Sequence, residues 1–196
     1  MPPWLINLEI TLKSRRFWLT SLRDIILIGA VLFIIASYLQ RDMQTGIAPP
    51  ITANTITNKS ISLFTPASTE MEQLSESLST GNKPTLIYFW GTWCPVCKIT
   101  SPMVNSVSSN KDYHVISIAV ASGTDSDVNI FMQQQDYHFE VINQQSQTQV
   151  MSLSQQWGAM ALPAIYIVDA DNNIRFVTSG VTSSWGMSLR LWLAAW

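Results

Sequence analysis

Cys94 and Cys97 are the only cysteines in the 196-residue chain, and they lie three positions apart in the sequence GTWCPVCK. Two cysteines so close together cannot form the disulfide framework of a small secreted protein, and a chain of this length buries a core without one. A Cys-x-x-Cys pair at the start of a helix can instead carry out thiol–disulfide exchange, in which one thiolate attacks a disulfide and the second thiol releases the product.

The residues around the pair predict a buried strand before it and a helix after it. Residues 85–90 form an apolar run of strand length, and residues 95–110 place apolar side chains on one helical face, with Pro95 suited to the first turn. The unpaired N–H groups and the helix dipole favour a thiolate, so we expect a lowered pKa and a nucleophilic role for Cys94. Cys97, one turn further on, is expected to resolve the mixed disulfide.

Metal binding is the main alternative for such a pair. A structural zinc site needs four ligands, and only His114 and His138 are available besides the cysteines, without a metal-binding spacing. Cu(I) suits soft ligands, so the thiolates together with methionines such as Met160 leave a copper-handling function as an alternative. Core packing is the simpler explanation of the methionines. An inert buried pair is disfavoured because the corner between a strand and a helix is exposed, and we expect neither a metal ion nor another cofactor.

An uncharged run from Ile25 to Leu39 predicts a membrane anchor. Residues 1–24 carry four basic and two acidic side chains, so the positive-inside rule places the N-terminus in the cytoplasm and the rest of the chain outside it. The run is short for a bilayer core of ~30 Å, but its flanking arginines can reach the interfaces. A cleaved signal peptide and a buried core helix are the alternatives; no good cleavage site follows, and the run has no polar stripe.

The rest of the chain predicts a spacer and one α/β domain. Gly46 and the pair Pro49-Pro50 interrupt residues 41–54, which therefore read as a semi-rigid spacer. Beyond them, strands alternate with helices around a central sheet. The full division is a cytoplasmic tail at 1–24, a single transmembrane helix at 25–40, a spacer at 41–54 and a domain at 55–196.

The domain is predicted to open with a β-hairpin whose strands cover 55–57 and 61–64. Its further strands are predicted at 85–90, 115–120, 139–142, 164–168 and 175–177, and its helices at 68–78, 95–110, 125–135, 148–157 and after Ser183. From residue 41 onward the chain carries seven basic and eleven acidic residues with no basic stripe, which argues against a nucleic-acid partner.

A buried strand, a Trp-Cys-x-x-Cys motif and a helix in this order resemble the thioredoxin superfamily over residues 55–196. Pro102 lies where such proteins kink the helix, Pro163 matches the cis-proline of the family, and Gly180 matches a glycine that opens the peptide-binding groove. The resemblance implies a thioredoxin-like mixed sheet and a protein thiol–disulfide oxidoreductase. It also implies catalytic roles for Cys94 and Cys97 and substrate contacts from Trp93, Pro95, Leu162 and Pro163.

The long segment between Cys97 and Pro163 is similar to the insertion of the TlpA-like branch, which contains membrane-tethered periplasmic proteins of Gram-negative bacteria. The suppressor-of-copper-sensitivity D type shares the Arg-Asp-Met stretch at 41–43, the WCPVC motif and a terminal segment like 184–194. This resemblance implies a single-pass protein of the bacterial inner membrane with its domain in the periplasm. Its substrates would be protein thiols and disulfides, and its electron donor a membrane thiol–disulfide transporter, which favours a reductase.

The sequence departs from the family pattern at two positions. Thioredoxin buries an aspartate beneath its cysteines where this chain has Tyr88, so a water or another side chain must accept the proton of Cys97. The cytochrome c maturation branch carries an acid directly after its cis-proline, where this chain has Ala164. A thiol reductase of cytochrome c maturation is therefore an alternative with less support.

Overall fold

The computed structural model describes residue 18 and residues 21–31, 43–64, 83–147 and 151–196. The chain divides into two compact units, Met1–Arg41 and Asp42–Trp196. In the first unit, residues 21–31 are helical and expose aliphatic side chains. None of the helices within the described ranges combines the length and hydropathy that a membrane crossing requires. The predicted anchor, residues 25–40, extends beyond residue 31 and so lies partly outside the described residues.

The second unit contains a six-stranded mixed sheet with the strand order β1-β8-β7-β4-β5-β6. The neighbours β4, β5 and β6 run parallel, whereas β7 is antiparallel to β4, β8 to β7 and β1 to β8. The strands are β1 (Gly46–Ile47), β4 (Thr85–Trp90), β5 (His114–Ala119), β6 (Glu140–Asn143), β7 (Ala164–Val168) and β8 (Asn173–Ser179). A separate antiparallel pair consists of β2 (Ile51–Asn54) and β3 (Ser60–Leu63).

Four helices accompany this sheet in the described part of the second unit. They are α1 (Pro95–Ser108), α2 (Asp125–Gln135), the single turn α3 (Leu153–Gln156) and α4 (Ser184–Ala194), with a short 3₁₀ turn at Gln144–Ser146. Pro102 lies inside α1, and the side chain of Ser183 caps α4. The central sheet with flanking helices confirms the predicted α/β class.

The central strand β4 is buried along its whole length because it contributes to two hydrophobic clusters, one on each face of the sheet. Tyr88 and Trp90 belong to the cluster that contains the cysteines and residues of α1 and α4. Ile87 and Phe89 point to the opposite cluster, with Trp157. Side chains alternate between the two faces of a strand, and here both faces are covered. The prediction that residues 85–90 form a strand buried on both faces is therefore confirmed.

We predicted the segment 41–54 as a spacer, but its described part, residues 43–54, is integrated into the domain. It forms β1 and β2, and Met43, Ala48 and Ile51 are buried in the second cluster. The backbone N–H of Ala48 donates to the carbonyl of Asn172 at 2.8 Å, which ties β1 to the turn before β8. Gly46 belongs to β1, and Pro49 and Pro50 lie between β1 and β2, so the spacer prediction is wrong for this stretch.

Two other predicted elements differ from the structure. The strand predicted at 55–57 is wrong, because these residues belong to the turn between β2 and β3, closed by hydrogen bonds between Thr55 and Lys59. The helix predicted at 148–157 is confined to the four residues of α3 within the described part, since 148–150 lie outside it. The helix predicted at 68–78 also lies outside the described residues.

Candidate functional site

The two cysteines lie where β4 gives way to α1, as the sequence predicted, and they are joined in a disulfide. Cys94 is the N-cap of α1, and its Sγ accepts a hydrogen bond from the backbone N–H of Cys97 at 3.2 Å. The first turn of a helix leaves N–H groups without partners, and a sulfur at the N-cap meets them. Once the disulfide opens, the same N–H can therefore stabilise a thiolate on Cys94.

The pair is more enclosed than its position at a strand–helix corner suggests. Cys94 is 4% exposed and Cys97 is fully buried, so the cysteines are enclosed although the corner around them is exposed as expected. Pro95, at the first helical position, is exposed, as is Trp93 on the other side of Cys94. Of the two cysteines, only Cys94 retains any exposed surface, so a substrate can reach it more readily than Cys97.

Trp93 is held beside the cysteines by its indole nitrogen, which donates to the carbonyl oxygen of Val120 at 3.1 Å although the ring is 57% exposed. Gly91 makes this position possible: a Cβ there would lie 2.7 Å from Nε1 of Trp93 and 3.2 Å from the Val120 oxygen. Sequence reasoning did not single out Gly91. The feature of the sequence that could have indicated it is a glycine directly after a strand predicted to be buried.

The loop after β5 holds the segment between Gly91 and Cys94 in place. The hydroxyl of Ser122 accepts from the backbone N–H of Thr92 at 3.1 Å and lies 3.1 Å from the Val120 carbonyl, to which it donates. Ser122 is buried, so one hydroxyl serves both loops. This link was not predicted, because it joins two loops thirty residues apart through a side chain without a recognisable motif.

The structure brings Leu162 and Pro163 to the cysteines. The peptide bond between them is cis, as predicted for Pro163, and the carbonyl oxygen of Leu162 lies 3.9 Å from Cys94 Sγ. The Pro163 carbonyl accepts from the N–H of Gly180 at 2.9 Å, and Gly180 has a φ of +89°, a conformation that favours glycine. The predicted substrate contacts of Trp93, Pro95, Leu162 and Pro163 thus surround one sulfur; that they bind substrate stays a prediction.

A tyrosine hydroxyl lies beneath the pair, at the position where thioredoxin has its aspartate. Tyr88 shares a 2.9 Å hydrogen bond with the hydroxyl of Ser101 and donates to the carbonyl oxygen of Cys97 at 3.4 Å. Burial raises the pKa of Tyr88 far above its ordinary value, so the hydroxyl stays protonated. It can donate and relay hydrogen bonds here, but it cannot act as the base that an aspartate would be.

The two histidines considered as metal ligands lie elsewhere. His114 opens β5, and burial lowers its pKa below the ordinary value. His138 is exposed, with its Nε2 3.2 Å from the carboxylate of Asp136. The structure brings neither of them to the cysteines.

A groove of about 540 Å³ opens beside Trp93 and Leu162. Among its polar groups, the side-chain oxygen of Gln144 accepts from the backbone N–H of Ser154 at 2.8 Å. Charged side chains are absent from the lining, which is mixed polar and apolar and so suits an uncharged peptide segment. The lining residues are Trp93, Val120, Gln144, Ser152, Ser154, Gln155, Ala159, Met160 and Leu162.

Solved structures of bacterial thiol–disulfide proteins share this fold. A thiol:disulfide interchange protein of the thioredoxin family from Chlorobium tepidum aligns with a TM-score of 0.60 at 20% identity, covering 78% of this chain and 98% of that one. A secreted disulfide oxidoreductase from Mycobacterium tuberculosis, described as homologous to E. coli DsbE, aligns at 0.55 and 18% identity, covering 73% and 95%. These similarities establish a thioredoxin-like fold.

Two sequence comparisons address the family. A thioredoxin-like protein from Haemophilus influenzae is 40% identical over 113 residues, which is 58% of this chain and 64% of that protein, so the match spans less than two thirds of the relative's length. The model of the AhpC/TSA family matches residues 55–177, more than half of the chain and the whole region from β3 through the cysteine pair to β8. On the strength of that match, the chain belongs to the AhpC/TSA family of thioredoxin-like proteins.

Proposed function

We propose that the chain is a protein thiol–disulfide oxidoreductase that works through Cys94 and Cys97. The observation that carries the proposal is the disulfide between the N-cap of α1 and the first helical turn, with the sulfur of Cys94 3.9 Å from the Leu162 carbonyl and Cys97 fully buried. A helix N-terminus stabilises the thiolate that attacks, and the second cysteine lies close enough to release the product.

The exchange balances without a cofactor. In the reduced protein, the thiolate of Cys94 attacks one sulfur of a substrate disulfide, forms a mixed disulfide and releases the other substrate sulfur as a thiolate. Cys97 then loses its proton and attacks Cys94, which forms the Cys94–Cys97 bond and releases the second substrate thiol. Two electrons pass to the substrate, and the disulfide seen in the structure is the product state.

We further propose that the protein acts as a reductase, recharged by a membrane thiol–disulfide transporter, in the manner of the TlpA-like branch and the suppressor-of-copper-sensitivity D type. Support comes from the WCPVC motif and from the long segment between Cys97 and Pro163, which contains α2, β6 and α3. The uncharged lining of the groove beside Trp93 is compatible with unfolded protein substrates.

The location proposed for the protein is the bacterial inner membrane, with the redox domain in the periplasm. Its support is the uncharged run from Ile25 to Leu39 after a basic N-terminal segment, together with the helical residues 21–31 that expose their aliphatic side chains. Such a tether would keep the domain within reach of a membrane electron donor.

The alternative of cytochrome c maturation finds little support in the site. The residue after the cis-proline is Ala164, fully buried in β7, so no carboxylate can reach the cysteines from this position. The groove lining adds no acid in its place. A general disulfide reductase therefore fits the side chains better than one specialised for haem attachment.

Insulin reduction by the full chain tests the proposal. In the presence of dithiothreitol, the wild-type chain should accelerate precipitation of the insulin B chain, and Cys94→Ser should remove the acceleration because the attacking sulfur is gone. The matched control is Ser106→Ala, an exposed change on the same helix, which should leave the rate unchanged. A Cys94→Ser protein that stays as active as the wild type would contradict the proposal.

A further inference from the structure

The last helix, α4, is apolar on two opposite faces. Met187, Leu191 and Ala194 are buried against the core of the domain. At about 100° per residue, the side chains opposite them lie within an arc of about 100° on the outer face. This outer stripe consists of Trp185, Leu189, Trp192 and Leu193 of α4 together with Trp196, which follows the end of the helix and contacts Trp192; all of them are exposed.

The stripe is too large and too aromatic to be an ordinary surface feature. Single exposed apolar residues are normal, whereas a contiguous apolar patch marks an interaction site. Trp185 is 75% exposed and Trp196 is 91% exposed, and the rings of Trp192 and Trp196 contact each other edge to face at 6.0 Å. Tryptophan combines a large apolar ring with one N–H donor, which suits the boundary between lipid headgroups and acyl chains.

The segment that carries the stripe has no acidic residue. From Asn173 to the C-terminus the charged residues are Arg175, which pairs with Asp169 at 3.7 Å, and Arg190, which donates to the hydroxyl of Thr178 at 3.1 Å. Helix α1, which packs against α4, also lacks acidic residues and carries Lys98. The carboxylates of the described residues thus lie outside both helices. An apolar surface with cations at its side matches an anionic, partly apolar partner.

We propose that α4 docks on an anionic lipid bilayer, with the outer stripe at the level of the headgroups. A second copy of the chain is a poorer occupant. Neither α4 nor α1 has a carboxylate that could pair with Arg190 or Lys98 of the other copy. Basic, tryptophan-rich helices without acidic groups are typical of segments that lie in the plane of a membrane interface. This goes beyond the proposed redox function and does not depend on it.

Docking of α4 has a consequence for the cysteines. Helix α1 carries Cys94 and Cys97 at its start and packs against α4 within one hydrophobic cluster. With α4 on the bilayer, the disulfide is held near the membrane surface and its approach by partners is restricted in orientation. Such an orientation favours exchange with a membrane-embedded thiol over exchange with a freely diffusing one.

Oxidative footprinting of the full chain on vesicles of phosphatidylethanolamine and phosphatidylglycerol tests the proposal, with Trp93 as an internal reference of the same residue type. By exposure alone, Trp185 and Trp196 should be oxidised faster than Trp93, which is 57% exposed. Lipid contact should slow them several-fold and reverse this order. An unchanged order, a chain that does not associate with the vesicles, or equal protection on phosphatidylcholine vesicles would overturn the proposal. So would protection that disappears when the chain is diluted in lipid, since that identifies self-association.

Variants separate docking from catalysis. In the double variant Trp185→Gln/Trp196→Gln, the oxidation rate of Trp192 on vesicles should rise several-fold over that of the wild type. The reason is that the remaining apolar side chains no longer bind α4 to the bilayer. The matched control, Ile130→Gln/Met151→Gln, removes two apolar side chains that are also exposed but lie on α2 and before α3, and Trp192 should stay protected. Both variants should reduce insulin like the wild type, so a failure of docking and a failure of the redox function can be told apart.

Discussion

Cys94 and Cys97 lie one helical turn apart, yet the structure surrounds them with different kinds of groups. Cys94 is the less buried of the two, and the hydrogen-bonding groups near its sulfur are backbone atoms: the N–H of Cys97 at 3.2 Å and the carbonyl of Leu162 at 3.9 Å. Cys97 faces inward, above the hydroxyls of Tyr88 and Ser101. The surroundings of the attacking Cys94, the outer side, are therefore fixed by backbone atoms. The surroundings of the resolving Cys97, the inner side, depend on side chains that mutation can change.

The largest difference between the two sides is expected when each cysteine is replaced in turn. Cys97→Ser should still attack a protein disulfide through Cys94 but should not release it, so mixed disulfides accumulate. Cys94→Ser should form none, because the remaining thiol of Cys97 is buried. Non-reducing electrophoresis after mixing with a disulfide-containing protein measures both. Equal trapping by the two variants would show that the inner sulfur is as accessible as the outer one.

Much of the outer side could be predicted from the sequence, and the reason is local. The strand before Cys94 and the helix after it follow from short patterns of apolar residues and proline, whereas the position of the cis-proline Pro163 follows from the resemblance to the thioredoxin superfamily; the structure agrees with all three. The burial of Cys94 could not be predicted, because the carbonyl that lies 3.9 Å from its sulfur belongs to Leu162, which is sixty-eight residues away.

The inner side and the sheet edge show what local patterns miss. The contact of Tyr88 with Ser101 requires the strand face and the helix register to be known together, since thirteen positions separate the two residues. Residues 43–54 form a two-residue strand at the edge of the sheet and a four-residue strand that pairs with β3, both too short for a periodic signal. Strand β1 pairs with β8, more than a hundred residues away, so only the assembled fold reveals it.

On the outer side, Gly91→Ala should displace Trp93. The added Cβ would lie 2.7 Å from its Nε1, so the indole must leave the Val120 carbonyl and lose a hydrogen bond worth about 1 kcal/mol. We expect a lower rate of insulin reduction, a red shift of tryptophan emission and a destabilisation of about 1–2 kcal/mol in urea unfolding. Trp93→Phe, which removes the N–H but keeps a ring, is the matched comparison and should have the smaller effect. A Gly91→Ala protein with wild-type emission and rate would show that Trp93 does not depend on Gly91.

On the inner side, Tyr88→Phe should destabilise the domain by about 1–2 kcal/mol, because Ser101 loses its buried partner. The release of mixed disulfides by Cys97 should slow, while their formation by Cys94 should not change. Ser101→Ala is the reciprocal single variant, and the double variant should cost less than the two single changes added together, since it leaves no hydroxyl unpaired. Strict additivity, or slower formation instead of slower release, would contradict the division between the two sides.

The smallest effect concerns alkaline pH and tests whether the inner hydroxyl stays protonated. Burial raises the pKa of Tyr88 above its ordinary value of 10.0, so the unfolded chain ionises first. The stability due to the neutral hydroxyl is therefore complete below pH 10 and falls as the pH rises above it, by up to about 1.4 kcal/mol per pH unit for one tyrosine. Urea unfolding on either side of pH 10 should show a shallower loss of stability in Tyr88→Phe than in the wild type.

The control variant Tyr166→Phe should show the same change, because burial also raises the pKa of Tyr166, which lies in the cluster on the other face of the sheet. Only Tyr88→Phe should also slow the release step; a Tyr88→Phe protein with the wild-type alkaline slope would mean that this hydroxyl ionises as freely in the folded protein as in the unfolded chain.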